Sequence, residues 1–419
     1  MFKPRAVIRA FTCRRDVASA MLLAKCLEHM NFNVIISSVR DFERLLKLWK
    51  PEVAITNIIS GSYHIKKINP KIKTVFIDGE GILPESYKHH YGFKKNENYL
   101  KAIDLILLWG PQVFNEMKNN FPQYNFNNMH VIGYPALDLI KYAKKQTSQK
   151  KSKTIGFAMR SPYINEHLGR SVIRVLGNEG YLPRIIADCK GFKTTLDTIK
   201  LVLNNTSFDV SIRPHPYEQI NSYNDYKKNW FGDHADRIKI DETLSFSEWA
   251  SKQKVIISTS SFSVLQSYLL KKVTVNIDYL ADIHEQNKSY DKVYETWQNS
   301  CYTPKSNNEL LNVLKKGNLK FIKNQKLDDQ LRIFCNWHKK GSANWKAAFH
   351  ISDLVKNFRI NIFSRLPTFM VDIIDNYSFW KACKKNKLHP NYHYKKGYHK
   401  PVENINTMLK NILEENKRI

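Results

Sequence analysis

The chain has 419 residues, 42% of them hydrophobic, which is too long for one ordinary domain and too apolar for a disordered chain, so two packed domains are expected. Its 66 Lys and Arg against 38 Asp and Glu leave a formal charge of +28, which points to a polyanionic setting: nucleic acid, an acidic lipid surface or phosphorylated substrates. No run reaches the roughly 18 to 20 apolar residues of a membrane span, and the opening MFKPRAVIRAFTC is too short and charged for a secretory signal, so a cytoplasmic location is expected.

In chain order, AVIRAF reads as a strand and ASAMLLAKCLEHM as a helix, with Ala20, Leu23, Leu27 and Met30 at helical spacing. FNVIISS is a second strand, FERLLKLWK a second helix, and VAITNII, TVFID and LILLWG are three further strands; HVIGYPALDLIKYA supplies one more strand and helix. Strands alternating with helices of this length specify a parallel sheet with helices on both faces. KKQTSQKKSK, with five lysines and no acid, reads as a linker over 144–153, bounding a first domain at 1–143. A second series follows over 154–349: TIGFAM, VIRVLGNEG, a helix around TTLDTIKLVLNN, the strands FDVSIRP and VIISTS, the helix SVLQSYLLKK and the strand VTVNI. The fold class expected is α/β, with two Rossmann-like domains whose parallel sheets face across a cleft.

The tail over 350–419 differs in character. It carries 13 Lys and Arg against 6 Asp and Glu, an amphipathic segment ISDLVKNFRINIFSRLPTFMVDII and a basic, aromatic one, KACKKNKLHPNYHYKKGYHK. It reads either as a helical extension packed across both domains or as an interfacial helix with a basic patch that docks on anionic lipid. The six cysteines are scattered, with no CxxC and no zinc-finger spacing, and read as reduced, mostly buried thiols.

Open parallel sheets bind ligands beyond the carboxyl ends of their strands, so the residues after TVFID, FDVSIRP and VIISTS are where chemistry is expected. Asp78-Gly79-Glu80-Gly81 follows the strand TVFI: two carboxylates separated by glycine can put one acid in a cleft, or form a tight turn with solvated acids. Arg213-Pro214-His215-Pro216-Tyr217-Glu218 holds an imidazole in a rigid, extended segment beside a guanidinium, a pairing suited to an anionic oxygen. Ser258, Thr259, Ser260 and Ser261 precede a helix, where free amides and the helix dipole favour phosphate, although caps also use Ser and Thr. No P-loop, GxGxxG, GxSxG, HExxH or EF-hand pattern occurs, and the adjacent pair His89-His90 is a poor chelator. Tyr and Trp interleave with Lys in the tail, but no RNA-binding motif accompanies them, so no nucleic-acid partner is expected.

Taken in order, these segments resemble bacterial surface-carbohydrate biosynthesis proteins of the GT-B class, similar to polysialyltransferase-like and Kdo-transferase-like glycosyltransferases. The resemblance runs from about residue 8 to 350. Its marks are Arg15-Asp16 before MLLAKCL, the acid-glycine segment at 78–81, Trp109-Gly110, Gly133-Tyr134-Pro135 with Asp138 after it, the Arg-Pro-His-Pro segment and the Ser-rich turn. Gly79 separates two acids that are adjacent in sialyltransferase-like members. Glu80 then takes the place of the catalytic carboxylate, with Asp78 as second choice, acting as base toward an acceptor hydroxyl or as a nucleophile.

The resemblance further implies that His215 stabilises or protonates the departing phosphate, held by Arg213, Pro216 and Ser258 to Ser261, with Glu218 near the ribose or base. Arg15, Asp16 and Gly81 would lie on the acceptor side. It implies no metal and no cofactor, only a nucleotide-sugar co-substrate, with a CMP-activated acidic sugar such as Kdo or a nonulosonic acid favoured. The acceptor would be a glycan or lipid-linked glycan at the inner membrane face. A CDP-polyol phosphotransferase, a UDP-sugar epimerase or hexosyltransferase, and a non-enzymatic binding protein are the competing expectations.

Overall fold

In a computed structural model of the chain, the residues described are 3–79, 97–120, 122, 124–142, 152–165, 171–177, 182–290, 294–315, 319–337, 340–357, 366–371, 373, 374, 377, 402 and 404–417. They form two compact units, one of residues 1–144 with 328–419 and one of residues 145–327.

The first unit is built on six strands: β1 (Arg5–Ala10), β2 (Asn33–Ser38), β3 (Val53–Thr56), β4 (Lys73–Ile77), β5 (Leu105–Leu108) and β6 (Met129–Val131). All pairs are parallel and the order is β2-β1-β3-β4-β5-β6. The inner strands VAIT and LILL are buried at every position, as a sheet covered on both faces requires. Three helices, α1 (Ala18–His29), α2 (Val39–Leu48) and α3 (Ile59–Ile68), return the chain between strands. On one face Val7 and Ala54 of the sheet pack with Phe42, Leu45, Leu46 and Trp49 from α2 and its end, and with Ile65 of α3. The winding direction reverses between β1 and β3, so their carboxyl ends open a crevice.

The second unit has β7 (Thr154–Ala158), β8 (Asp209–Arg213), β9 (Ile238–Ile240), β10 (Val255–Ser258) and β11 (Val273–Asn276), again all parallel, in the order β11-β10-β7-β8-β9. Here the reversal falls between β7 and β10. The long helix α4 (Leu182–Asn205) lays Phe192, Leu196, Ile199, Val202 and Leu203 on the sheet, and α5 (Phe262–Leu269) follows β10. The sequence expectation caught four of these strands. The edge strand β9 has only three residues, too few for an alternation to show.

The end of the second domain differs from expectation. Residues 328–349, expected with the nucleotide domain, belong to the first unit. The cause is Asp138, whose buried carboxylate accepts the Ser342 hydroxyl (2.6 Å), the N–H groups of Ala343 (3.2 Å) and Asn344 (2.8 Å), and the Asn344 amide (2.8 Å). These are the free donors at the start of α6 (Ala343–Val355), and one distant acid satisfies them. Burial raises the Asp138 carboxyl pKa against those four bonds. The apolar side of α6, Ala347, Ala348, Ile351 and Val355, is buried and packs on α1.

The tail also returns to the first unit. In α7 (Ile405–Asn416), Met408 and Ile412 are buried, Asn411 donates to the Tyr142 carbonyl (3.1 Å), and Glu415 accepts from the Gly341 N–H (2.9 Å). Between the two helices, Val371 joins the α2 core, while Phe369, Ile373 and Tyr377 remain more than 60% exposed. Residues 378–401, which hold the whole of the basic, aromatic segment, lie outside the described residues. Among the described residues no helix is long and apolar enough to cross a membrane.

Candidate active site

The carboxyl edge of the second sheet carries most of the residues singled out from sequence, but only some of their polar groups face outward. Arg213 ends β8 with its side chain 5% exposed; it is ion-paired to Asp241 and donates to the Thr243 hydroxyl (3.0 Å) and carbonyl (3.1 Å). The rings of Phe246 and Trp249 lie 5.8 and 5.9 Å from its guanidinium. The fork expected to hold phosphate is therefore turned inward, where it ties β8 to the segment after β9. Glu218, expected near a ribose or base, has no exposed surface; its carboxylate accepts the Ser161 N–H (2.5 Å) and the Tyr223 hydroxyl. It fixes the loop after β7.

His215 stays half-buried at the edge, in a tight turn closed by the Glu218 N–H on the His215 carbonyl (2.9 Å), with Pro216 at the second position. The Tyr217 N–H donates to His215 Nδ1 (3.2 Å), and this bond leaves the proton of the neutral ring on Nε2. Of the four hydroxyl residues, Ser258 donates to the Thr259 carbonyl, Ser260 accepts from the Asn276 amide (2.9 Å), and Thr259 packs its methyl toward Gly191. Only Ser261 is less than fully buried, and it caps α5 by accepting the Ser263 N–H (3.3 Å). The turn itself is fixed from below by Asp278, which accepts the Ser260 N–H (2.9 Å) and the Asn287 amide (2.9 Å).

The residue that sequence reading missed is Arg160, two positions past β7 and exposed. One of its terminal nitrogens donates to the Ser260 carbonyl and to Asn287 Oδ1 (3.4 Å), and its Nε and other terminal nitrogen make no hydrogen bond with the described residues. It stands at the switch point between β7 and β10, beside the start of α5, with His215 after β8 on the other side. Strand spacing puts the ends of β8 and β10 roughly 10 Å apart across β7, enough to flank a phosphate or diphosphate. Nothing in the string TIGFAMRSP marks this arginine, because its importance comes from the strand order.

Beneath Arg160, Asp188 of α4 accepts the Tyr163 N–H (2.9 Å) and holds the same loop. Burial, reinforced by Glu218 and opposed by that bond and by Arg160 and Arg184, raises the Asp188 carboxyl to about 7.

In the first unit, the turn after β1 is closed by Asp16, which accepts the N–H groups of Phe11 (3.0 Å) and Thr12 (2.8 Å) and the Arg15 Nε (2.9 Å). Arg15 and Asp16 line a cleft of about 570 Å³, open mouth included, together with Arg9, Asn57, Asp78 and Asn344. This is the β1/β3 crevice. Asp78 follows β4, is 4% exposed, and its carbonyl accepts the indole N–H of Trp109 (2.7 Å). Trp109 in turn stacks on Tyr134 at 3.7 Å, so the Trp-Gly and Gly-x-Pro segments form one wall. Gly110 is required because a Cβ there would lie 2.3 Å from the backbone oxygens of Ile333 and Phe334. Gly79 presses on Asn57, 3.2 Å from where its Cβ would be. Glu80, Gly81 and the His89-His90 pair lie outside the described residues.

Two parallel α/β units of this kind, each opening a switch-point crevice, make up a GT-B fold. No family model and no curated protein sequence matches the chain. Solved structures do. A variant of the wall teichoic acid polymerase TagF soaked with CDPG superposes with a TM-score of 0.54 at 12% identity, covering 85% of this chain and 90% of that one. The S. aureus MnaA-UDP co-structure gives 0.51 at 12% identity over 85% and 97% of the two chains. A UDP-N-acetylglucosamine 2-epimerase structure from Listeria monocytogenes gives 0.51 at 11% over 86% and 99%.

Proposed function

We propose that the chain is a glycosyltransferase of surface-polysaccharide biosynthesis that moves an acidic sugar from a cytidine nucleotide to a glycan or lipid-linked glycan hydroxyl. The observation that carries the reading is the cluster at the second sheet's switch point: exposed Arg160 beside the Ser261-capped start of α5, with His215 across β7. Guanidinium, helix N-terminus and imidazole together supply donors to a phosphate ester without any bound metal. In the reaction, the acceptor oxygen bonds to the anomeric carbon as the bond from that carbon to the phosphate oxygen breaks. The acceptor proton goes to the carboxylate of Glu80, with Asp78 as the other candidate, and His215 donates its Nε2 proton or hydrogen bond to the departing phosphate.

A second reading, transfer of a polyol phosphate from a CDP-alcohol, is favoured by the similarity to a TagF structure soaked with CDPG. It uses the same phosphate donors and differs in the bond broken, P–O within the diphosphate. For either reading, the exposed Phe369, Ile373 and Tyr377 beside a basic tail support docking at an anionic membrane, where such acceptors sit.

The test is calorimetric titration of the full chain with CMP, CDP, UDP and GDP and their sugar or polyol esters. Selective CMP binding that is lost in His215→Ala supports the first reading. Preference for CDP moves the assignment to phosphotransfer, UDP to an epimerase or hexosyltransferase, and no nucleotide binding refutes all three.

A further inference from the structure

The cleft of the first unit holds an unused charge. Arg9, the next-to-last residue of β1, has no hydrogen bond and no ion pair with the described residues; its Nε is buried without a partner. The ring of Phe42 lies 5.7 Å from its guanidinium. Burial lowers its pKa, and among the described residues no acid opposes the shift. A half-buried guanidinium left without an anion is a standing cost to the fold.

The other unsatisfied groups in the same cleft are of the complementary kind. Asn344 is completely buried, and its amide nitrogen is committed to the Pro135 carbonyl (2.8 Å) and to Asp138 (2.8 Å), so the orientation of its Oδ1 is fixed. That Oδ1 has no donor, and neither has Oδ1 of Asn57, whose side chain lies against Gly79. All three residues line one cavity. Arg15, the other arginine there, is already bound to Asp16 (2.9 Å).

We infer that this cleft binds a hydroxylated anion, a sugar acid or a polyol phosphate, whose charged oxygens sit on Arg9 and whose hydroxyls donate to Asn57 and Asn344. The ligand is the acceptor end group, an inference that rests on the reading of the first unit as the acceptor half. A planar fork of donors fits carboxylate or phosphate oxygens, and lone amide oxygens take only donors, which sugar and polyol hydroxyls supply. A neutral acceptor would leave Arg9 buried and unpaired.

The experiment is titration of the full chain with methyl glucuronide, glycerol phosphate and neutral methyl glucoside, each with and without saturating nucleotide, for wild type, Arg9→Gln and Arg9→Lys. The expected result is at least tenfold preference for one of the anions over the glucoside, loss of that preference in Arg9→Gln, and partial recovery in Arg9→Lys. Whichever anion binds identifies the end group as carboxylate or phosphate. Nucleotide affinity should be unchanged, and the melting temperature of Arg9→Gln should equal or exceed that of wild type, since an unpaired charge has been removed. Equal binding of anion and glucoside by wild type, or undiminished anion binding by Arg9→Gln, overturns the inference. So does a fall in melting temperature that takes both ligands with it, which would make Arg9 structural. Absence of nucleotide binding with anion binding intact would sink the transferase reading while leaving this site standing.

Discussion

Asp188→Asn is expected to stabilise the chain, increasingly so as pH rises. The Asp188 carboxyl is 8% exposed, faces the fully buried Glu218, and titrates at about 7 in the folded protein against 3.8 for an ordinary aspartate. Below pH 3.8 both states are protonated and nothing is lost. Between about 4 and 7 the folded protein keeps a proton that the unfolded chain has released, so the folded state binds more protons and stability falls as pH rises. Above 7 the loss is complete. At about 1.4 kcal/mol per pH unit the full loss is of order 4 kcal/mol, of which about 3 kcal/mol accrues between pH 5 and 8. An asparagine Oδ1 can still accept the Tyr163 N–H, so the loop keeps its tie without the ionisation. The assay is urea unfolding of variant and wild type at pH 5, 6, 7 and 8, read as the difference between them so that other titrating groups cancel. A difference that does not change with pH, or one in which the variant is the less stable at pH 8, would refute the argument.

Three other outcomes follow from the placements above. Arg213→Met leaves Asp241 buried without its cation and should cost about 3 to 5 kcal/mol in unfolding, yet leave nucleotide affinity of the folded protein unchanged. Arg160→Ala should do the opposite, weakening nucleotide binding by about 10- to 100-fold, the worth of one charge-assisted hydrogen bond, with little change in melting temperature. Replacing Phe369, Ile373 and Tyr377 together with Ser should abolish cosedimentation with phosphatidylserine vesicles at unchanged melting temperature; undiminished cosedimentation would end the docking proposal. Deleting 350–419 is a poorer test of docking, because it also removes the packed helix α7.

Both sheets and the crevices at their carboxyl ends were legible in the sequence, because buried parallel strands such as VAIT, LILL and VIIS are short continuous apolar runs between helical periods. What was not legible depends on partners far away in the chain. RPHPYE shows two charged residues beside a histidine, but not that Arg213 meets Asp241, 28 residues on, or that Glu218 meets the Ser161 amide, 57 residues back. Arg160 has no local mark at all, and the Asp after Gly-x-Pro gives no hint that it caps a helix 205 residues later. Of the hydroxyl run STSS only Ser261 caps the helix; the others bond to the turn's own backbone and to Asn276 or pack their side chain inward.

These long-range partnerships share one physical cause. The chain fixes four strand-end loops and one helix start by giving each a carboxylate, buried in every case but the part-exposed Asp16, that accepts backbone N–H groups: Asp16 for 11–12, Glu218 for 161, Asp188 for 163, Asp278 for 260 and Asp138 for 343–344. An acid in that role is consumed, whatever its distance from a crevice, and its charge is offset by amides rather than offered to a ligand. The loops so held then present groups of the other sign or of none: Arg160 above Glu218 and Asp188, Ser261 above Asp278, and the Asn344 amide oxygen beside Asp138. An acid near these crevices is thus first to be counted as scaffold. Glu218 is the plainest case: the carboxylate expected beside the nucleotide is taken up by the Ser161 N–H and the Tyr223 hydroxyl.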